Sequence, residues 1–233
     1  MAGGPPGDIV IQLLLFVEGD SEEIFIKNVI NPYLYDRNIR ITPTKITTSI
    51  KERKYQGGVG NATFEILKKD ILRFNSNQSY CGCFFDLYGL TSTFPGYDLS
   101  KNEKNPYKRI ELIEKSLSDI IDIPTFIPYI QLHEFEALFF SDIEKIDDNL
   151  SHYSGISQKK KLKEILSHFQ NPELINDSPV TAPSRRLKTL YPNYQKMLHG
   201  IHIFEDIPLS KMRERCKHFN EWLLKIENLS PLN

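Results

Sequence analysis

The sequence predicts an α/β fold, an open and mostly parallel sheet flanked by helices, with a helical lobe at its C-terminal end. Strand-like and helix-like segments alternate through the first part of the chain, the signature of βαβ units. Beyond about Asp142 the pattern changes to short helical pieces punctuated by Pro172, Pro179, Pro183, Pro192 and Pro208. Acidic residues also fall just past several predicted strands, where open α/β sheets place their ligand sites. We therefore divide the chain into an α/β domain over residues 1–141 and a helical lobe packed on it over residues 142–233.

Residues 9–17 form a β-rich run that ends in Glu18-Gly19-Asp20. A helical pattern follows over residues 21–35, with Ile24, Phe25, Val29 and Ile30 near helical period. Asp20 is its expected N-cap, with Glu23 completing a capping box. Residues 39–48 alternate and are rich in β-branched side chains, so they read as a strand. The Gln56-Gly57-Gly58-Val59-Gly60 loop lacks the Lys-Ser/Thr of a nucleotide-binding P-loop, and Asn61 is expected to cap a helix running to about Phe74. Residues 80–86 read as a short buried strand in which Cys81 and Cys83 face the same way and pack as small hydrophobes. Residues 88–105 form a long polar loop, residues 106–121 a helix with Pro near its start, and residues 126–132 another strand. A helix is expected to follow from His133.

Composition excludes several classes. The 233 residues carry 29 Lys and Arg against 30 Asp and Glu, so bulk electrostatic coating of nucleic acid is out and any such contact needs a local patch. No apolar run reaches the ~18 residues of a membrane span. Three cysteines at no metal-ligand spacing, and an N-terminus without a basic start or a cleavage pattern, fit a cytoplasmic protein.

Glu18, Asp86 and the His133-Glu134 pair follow strand ends of one sheet. Carboxylates converging in this way suit a hard divalent cation such as Mg²⁺ or Mn²⁺, which takes one or two carboxylates together with water and substrate phosphate. Such a centre serves phosphodiester cleavage. We assign Glu18, Asp86 and Glu134 as metal ligands and catalytic residues, with Glu22 assisting from one turn along. Glu136 is the alternative ligand to Glu134, since on a helix the two diverge. Glu134 is preferred because its neighbours Phe135 and Leu138 look like core. His133 stays open between a general base or ligand and a structural hydrogen-bonded residue. Tyr88 stays open between orienting a phosphate and packing. Arg185 and Arg186, beside Ser184 at an expected helix start, together with Lys211, are assigned to the substrate phosphate backbone. Lys159 to Lys163 read as a solvated face.

Val17-Glu18-Gly19-Asp20-Ser21-Glu22 resembles the start of Toprim domains, where a Glu after the first strand serves catalysis or metal binding. The later Asp-x-Asp of that fold reads Asp86-Leu87-Tyr88 here, with Tyr88 in place of the second Asp. A closer resemblance covers almost the whole chain. It is carried by the stretch from Tyr129 to Phe140 containing His133-Glu134-Phe135-Glu136, by Ile175-Asn176-Asp177, by Thr181-Ala182-Pro183-Ser184-Arg185-Arg186-Leu187, and by Cys216-Lys217-His218-Phe219. These resemble a bacterial family of uncharacterised Toprim-like proteins encoded beside ATPases and associated with phage defence. That family is related to the Toprim nucleases of the overcoming-lysogenization-defect type. The resemblance implies a metal-dependent nuclease acting on DNA or RNA, working with an ATPase partner, and it admits a homo-oligomer. The alternative it leaves is a non-catalytic sensor or docking module for that ATPase.

Overall fold

The computed structural model describes residues 9–46, 64–74, 79–176 and 180–232. The Gln56-to-Gly60 loop, the Asn61 cap and Asp177 lie outside the described residues. Four strands, β1 (Ile11–Val17), β2 (Ile39–Lys45), β3 (Tyr80–Asp86) and β4 (Phe126–Gln131), form one parallel sheet in the order β2-β1-β3-β4. The helices are α1 (Asp20–Phe25), α2 (Asn31–Leu34), α3 (Phe64–Phe74), α4 (Tyr97–Ser100), α5 (Pro106–Ile121) and α6 (Ile143–Ser154). They continue with α7 (Lys159–Ser167), α8 (Pro183–Leu190), α9 (Lys196–Asp206), α10 (Leu209–Arg215) and α11 (Lys217–Glu227). The chain forms two compact units, Met1–Ile130 with Leu224–Asn233, and Gln131–Leu223.

In the first unit the two central strands are the most apolar. Leu13, Leu15, Phe16 and Val17 of β1, and Cys81, Cys83, Phe84 and Phe85 of β3, are all buried. Burial pushes the Cys81 thiol up to about 11, and the Cys83 thiol further, so both pack as small hydrophobes. Gly82 lies between them because β4 passes very close. A Cβ there would lie 2.3 Å from the Ile127 carbonyl oxygen.

Helix α5 is legible from end to end. Pro106 fills its first turn, and the Asn105 side chain accepts the N–H groups of Tyr107 and Lys108. Asp122 ends it in the left-handed region at φ 54°. Ile110, Ile113, Leu117 and Ile121 form its buried stripe. Glu114 interrupts that stripe, and its carboxylate accepts the Ile130 N–H of β4 at 2.8 Å. The outward N–H groups of edge strand β4 are thereby all dealt with. Phe126 donates to the Ile123 carbonyl, Pro128 has no N–H, and Ile130 donates to Glu114.

Three local expectations change. Helix α1 is capped by Gly19 without a side-chain bond, and Asp20 is its first helical residue. Asp20 instead pairs with Lys45 of β2 at 2.6 Å, and Glu23 pairs with Lys27 and Lys45 in place of a capping box. The helical run from Asp20 to Leu34 is interrupted by a π segment, Ile26–Ile30, whose Ile26 and Ile30 are buried. After β4, His133 adopts the left-handed conformation (φ 65°) and Glu134 is extended. Helical structure therefore begins only at Phe135, as the 3-10 segment Phe135–Ser141.

In the second unit Phe135, Phe139 and Phe204 pack edge to face or tilted at centroid distances of 5.7–6.4 Å. Two buried acids organise its helices. Asp147 accepts from Ser157 Oγ, the Gln158 N–H and Tyr191 Oη. Glu173, fully buried, accepts the N–H groups of His218 and Phe219 at the start of α11.

Candidate metal and substrate site

β1 pairs in parallel with both β2 and β3, so the chain direction across the sheet reverses at the β1–β3 junction. Open α/β sheets bind ligands at this point, outside the carboxyl ends of the strands. Val17 is in register with Phe84, which places Glu18, just past β1, near Asp86, the last residue of β3. Glu18 Oε1 accepts the backbone N–H of Asp86 at 2.8 Å. Both side chains are half-buried.

Gly89, in the 3-10 turn Leu87–Gly89, makes room for this arrangement. A Cβ at Gly89 would lie 2.5 Å from Glu18 Oε1 and 2.8 Å from Oε2. The Glu18 carboxylate therefore occupies the space a side chain would take. Glu22, one turn into α1, is buried and turns Oε2 to within 3.3 Å of where a Gly19 Cβ would stand. The Glu18 and Glu22 carboxylates thus each lie against a glycine, Gly89 and Gly19. Among the described residues no three His, Cys, Asp or Glu side chains are grouped to hold a metal ion. Glu18 and Asp86 stand on neighbouring strands, joined through the Asp86 backbone N–H. Tyr88, on the same turn, is 37% exposed.

The other assigned residues lie in the second unit. Glu134 Oε2 accepts the Ser184 N–H at 3.0 Å, so a carboxylate already occupies the α8 start that the sequence offers to phosphate. Glu136 is fully buried, against Lys196 Nζ at 3.0 Å. Burial raises its carboxyl above the usual range, opposed by the Lys196 charge. Tyr194 Oη is buried nearby, and its phenol is pushed up by burial and by the Glu136 charge. His133 Nδ1 lies 3.2 Å from Asn176 Nδ2.

Of the basic residues, Arg185 is exposed. Arg186 donates through Nε to the Thr181 carbonyl at 2.6 Å, and its guanidinium lies over the Phe169 ring. Lys211 pairs with the buried Asp142 at 2.6 Å. Lys159 and Lys163 both pair with Glu144 on an exposed surface. The sequence reading missed Gly89, Tyr194, Lys196 and the backbone-binding acids Glu114 and Glu173. Only Gly89 carried a local signal, a glycine three residues after the acid at the end of β3.

A family model described as "Domain of unknown function (DUF4276)" matches residues 17–227. The chain belongs to this DUF4276 family. No curated protein matches it. Among solved structures, the C-terminal region of the Burkholderia pseudomallei OLD protein is similar with a TM-score of 0.44 and 15% identity, over 94% of this chain and 98% of that one. The C-terminal region of the Xanthomonas campestris pv. campestris OLD protein is similar with a TM-score of 0.43 and 13% identity, over 93% of this chain and 94% of that one. The DUF4276 match begins at Val17, the last residue of β1, and runs through β3, so it includes Glu18, Asp86 and Gly89. Among the described residues no helix is long and apolar enough to cross a membrane.

Proposed function

We propose that this DUF4276 chain is a divalent-metal-dependent nuclease that hydrolyses phosphodiester bonds in DNA or RNA. The observation that carries the proposal is the hydrogen bond from the Asp86 N–H to the Glu18 carboxylate at the β1–β3 junction, with that carboxylate seated over the bare Cα of Gly89. Glu18 and Asp86 would hold Mg²⁺ or Mn²⁺. Such a cation supplies an activated water and neutralises charge developing on the phosphate and the leaving oxygen. The chain's own residues do the positioning. The Asp86 N–H fixes one oxygen of Glu18, which directs the carboxylate to the end of β3. Gly89 keeps that space open, and Glu22 adds negative charge from the first turn of α1.

The motif resemblance supports an effector role in phage defence beside an ATPase partner, in the cytoplasm. One observation favours the non-catalytic reading. Tyr88 stands at the position of the second Asp of the Toprim motif and is partly exposed on the turn after β3.

The experiment is incubation of the purified chain with plasmid, single-stranded DNA and tRNA. Mg²⁺, Mn²⁺ or EDTA is present, with and without the neighbouring ATPase. Nuclease function predicts cutting of at least one substrate with metal and none with EDTA. No cutting of any substrate under any condition would leave the docking-module reading.

A further inference from the structure

The segment that leaves the carboxyl end of β3 carries a cluster of basic residues that the site described above does not use. It runs through α4 into the start of α5 and reads Tyr97-Asp98-Leu99-Ser100-Lys101-Asn102-Glu103-Lys104-Asn105-Pro106-Tyr107-Lys108-Arg109. Because β3 and β4 are parallel, the crossover helix α5 runs against them. Its N-terminus therefore lies at the carboxyl end of the sheet, the end that bears Glu18 and Asp86. The N–H groups of Tyr107 and Lys108 are taken by Asn105, so the positive character here belongs to side chains.

Several lysines elsewhere in the molecule are matched with acids, among them Lys27, Lys45, Lys159, Lys163, Lys196, Lys211 and Lys217. In this segment the acids are already engaged. Asp98 pairs with Lys101 at 2.6 Å, and Glu103 accepts the Asn105 N–H at 2.8 Å. Lys104 and Lys108 are exposed and have no acidic partner among the described residues. The Arg109 guanidinium lies 5.6 Å from the Tyr97 ring centroid, and Lys101 Nζ lies 5.5 Å from the same ring. Glu111, the next acid along α5, lines the groove beside β4. The segment therefore carries Lys101, Lys104, Lys108 and Arg109 against Asp98 and Glu103, a local excess of positive charge in a chain of formal charge −1, with Tyr97 and Tyr107 interleaved.

We propose that the segment from Tyr97 to Arg109 is the track for the nucleic-acid phosphate backbone, with Lys104, Lys108 and Arg109 as its contacts. This deepens the nuclease reading and rests on it. Phosphate is the partner that unpaired Lys and Arg side chains fit. The track adjoins the strand end that carries Asp86, so it would deliver the backbone to the carboxylate pair.

The test is binding of fluorescent 30-nucleotide DNA and RNA strands in EDTA, which blocks cutting, across a range of salt. K104Q/K108Q is compared with K160Q/K161Q, which removes the same charge from the exposed face of α7. The track predicts binding weakened about tenfold or more in K104Q/K108Q, with a log–log salt slope shallower by about 1.4, since each lost contact on a single strand removes ~0.7. K160Q/K161Q should stay within about twofold of wild type. Equal affinity and slope for the two double variants would overturn the track. So would K104Q/K108Q losing affinity for polyglutamate while keeping it for the oligonucleotides, which would assign the patch to an acidic protein. The two readings fail separately. Absence of metal-dependent cutting by a wild type that binds through Lys104 and Lys108 rejects the nuclease chemistry and keeps the track. Metal-dependent cutting with unchanged K104Q/K108Q binding does the reverse.

Discussion

The Glu18 carboxylate reaches across from the end of β1 to accept the Asp86 N–H at the end of β3, 2.8 Å away. A charge-assisted hydrogen bond therefore ties the Glu18 side chain to the backbone of the last residue of β3.

Gly89→Ala tests this arrangement without removing a charge. The added methyl would meet Glu18 Oε1 at 2.5 Å, and the carboxylate, at the end of a rotatable side chain, must swing away. Stability should change by less than about 1 kcal/mol. Mn²⁺ affinity, measured by calorimetric titration, should fall about tenfold or more, as it does when a ligand loses its support. Unchanged Mn²⁺ affinity would show that Glu18 does not hold the cation in this position.

Glu173→Ala tests a structural acid. It would leave the buried N–H groups of His218 and Phe219 without their acceptor at the start of α11. The expected cost is about 3 kcal/mol in urea unfolding, from two unsatisfied donors. Glu173→Gln retains one amide carbonyl oxygen as an acceptor and should cost less.

Arg185 and Arg186 are neighbours in sequence but not in role. Arg186→Ala loses the bond to Thr181 and the contact with the Phe169 ring, and should destabilise by about 2 kcal/mol. Arg185→Ala, at an exposed position, should stay within about 0.5 kcal/mol. Thermal melts of the two variants compare them directly. Any loss of nucleic-acid binding in Arg185→Ala would then report contact rather than folding.

Much of this was legible in the sequence because it is local. Strand β3 and helix α5 begin and end on short-range signals: an apolar run closed by Asp86, and Asn105-Pro106 at a helix start. The positions of Glu18 and Asp86 at strand ends follow from the same signals. What was not legible depends on partners far along the chain. Lys45 draws Asp20 and Glu23 away from capping α1, across the β1–β2 pair. Ser184, 50 residues on, takes a Glu134 oxygen. His133 ends β4 in a left-handed turn, which no local pattern distinguishes from a helix start. Gly89 reads as an ordinary turn glycine until the Glu18 side chain is placed over it.

His199 predicts an acid-sensitive step in stability. It is buried in α9 and accepts the Gln195 N–H on Nδ1. Burial, with His202 adding to it, holds its imidazole below the ordinary value. The folded state therefore binds the proton less readily than the unfolded chain. The stability due to the neutral ring is complete above about pH 6.5, the unfolded value, and is lost as pH falls from there through the folded value. His199→Gln, which keeps an acceptor for Gln195, should flatten the stability profile across this window. A wild-type profile that is already flat between pH 7 and pH 5 would contradict it.

The measurement that bears most directly on the central claim is the cleavage rate of Glu18→Gln against wild type, with Mg²⁺ or Mn²⁺, on whichever nucleic acid the wild type cuts. The substitution removes a charge from the end of β1 without changing volume. We expect an unchanged melting curve and a rate at least 100-fold lower, about 2.7 kcal/mol of lost transition-state stabilisation. A folded Glu18→Gln variant that cuts as fast as wild type would show that the Glu18–Asp86 pair is not the catalytic centre.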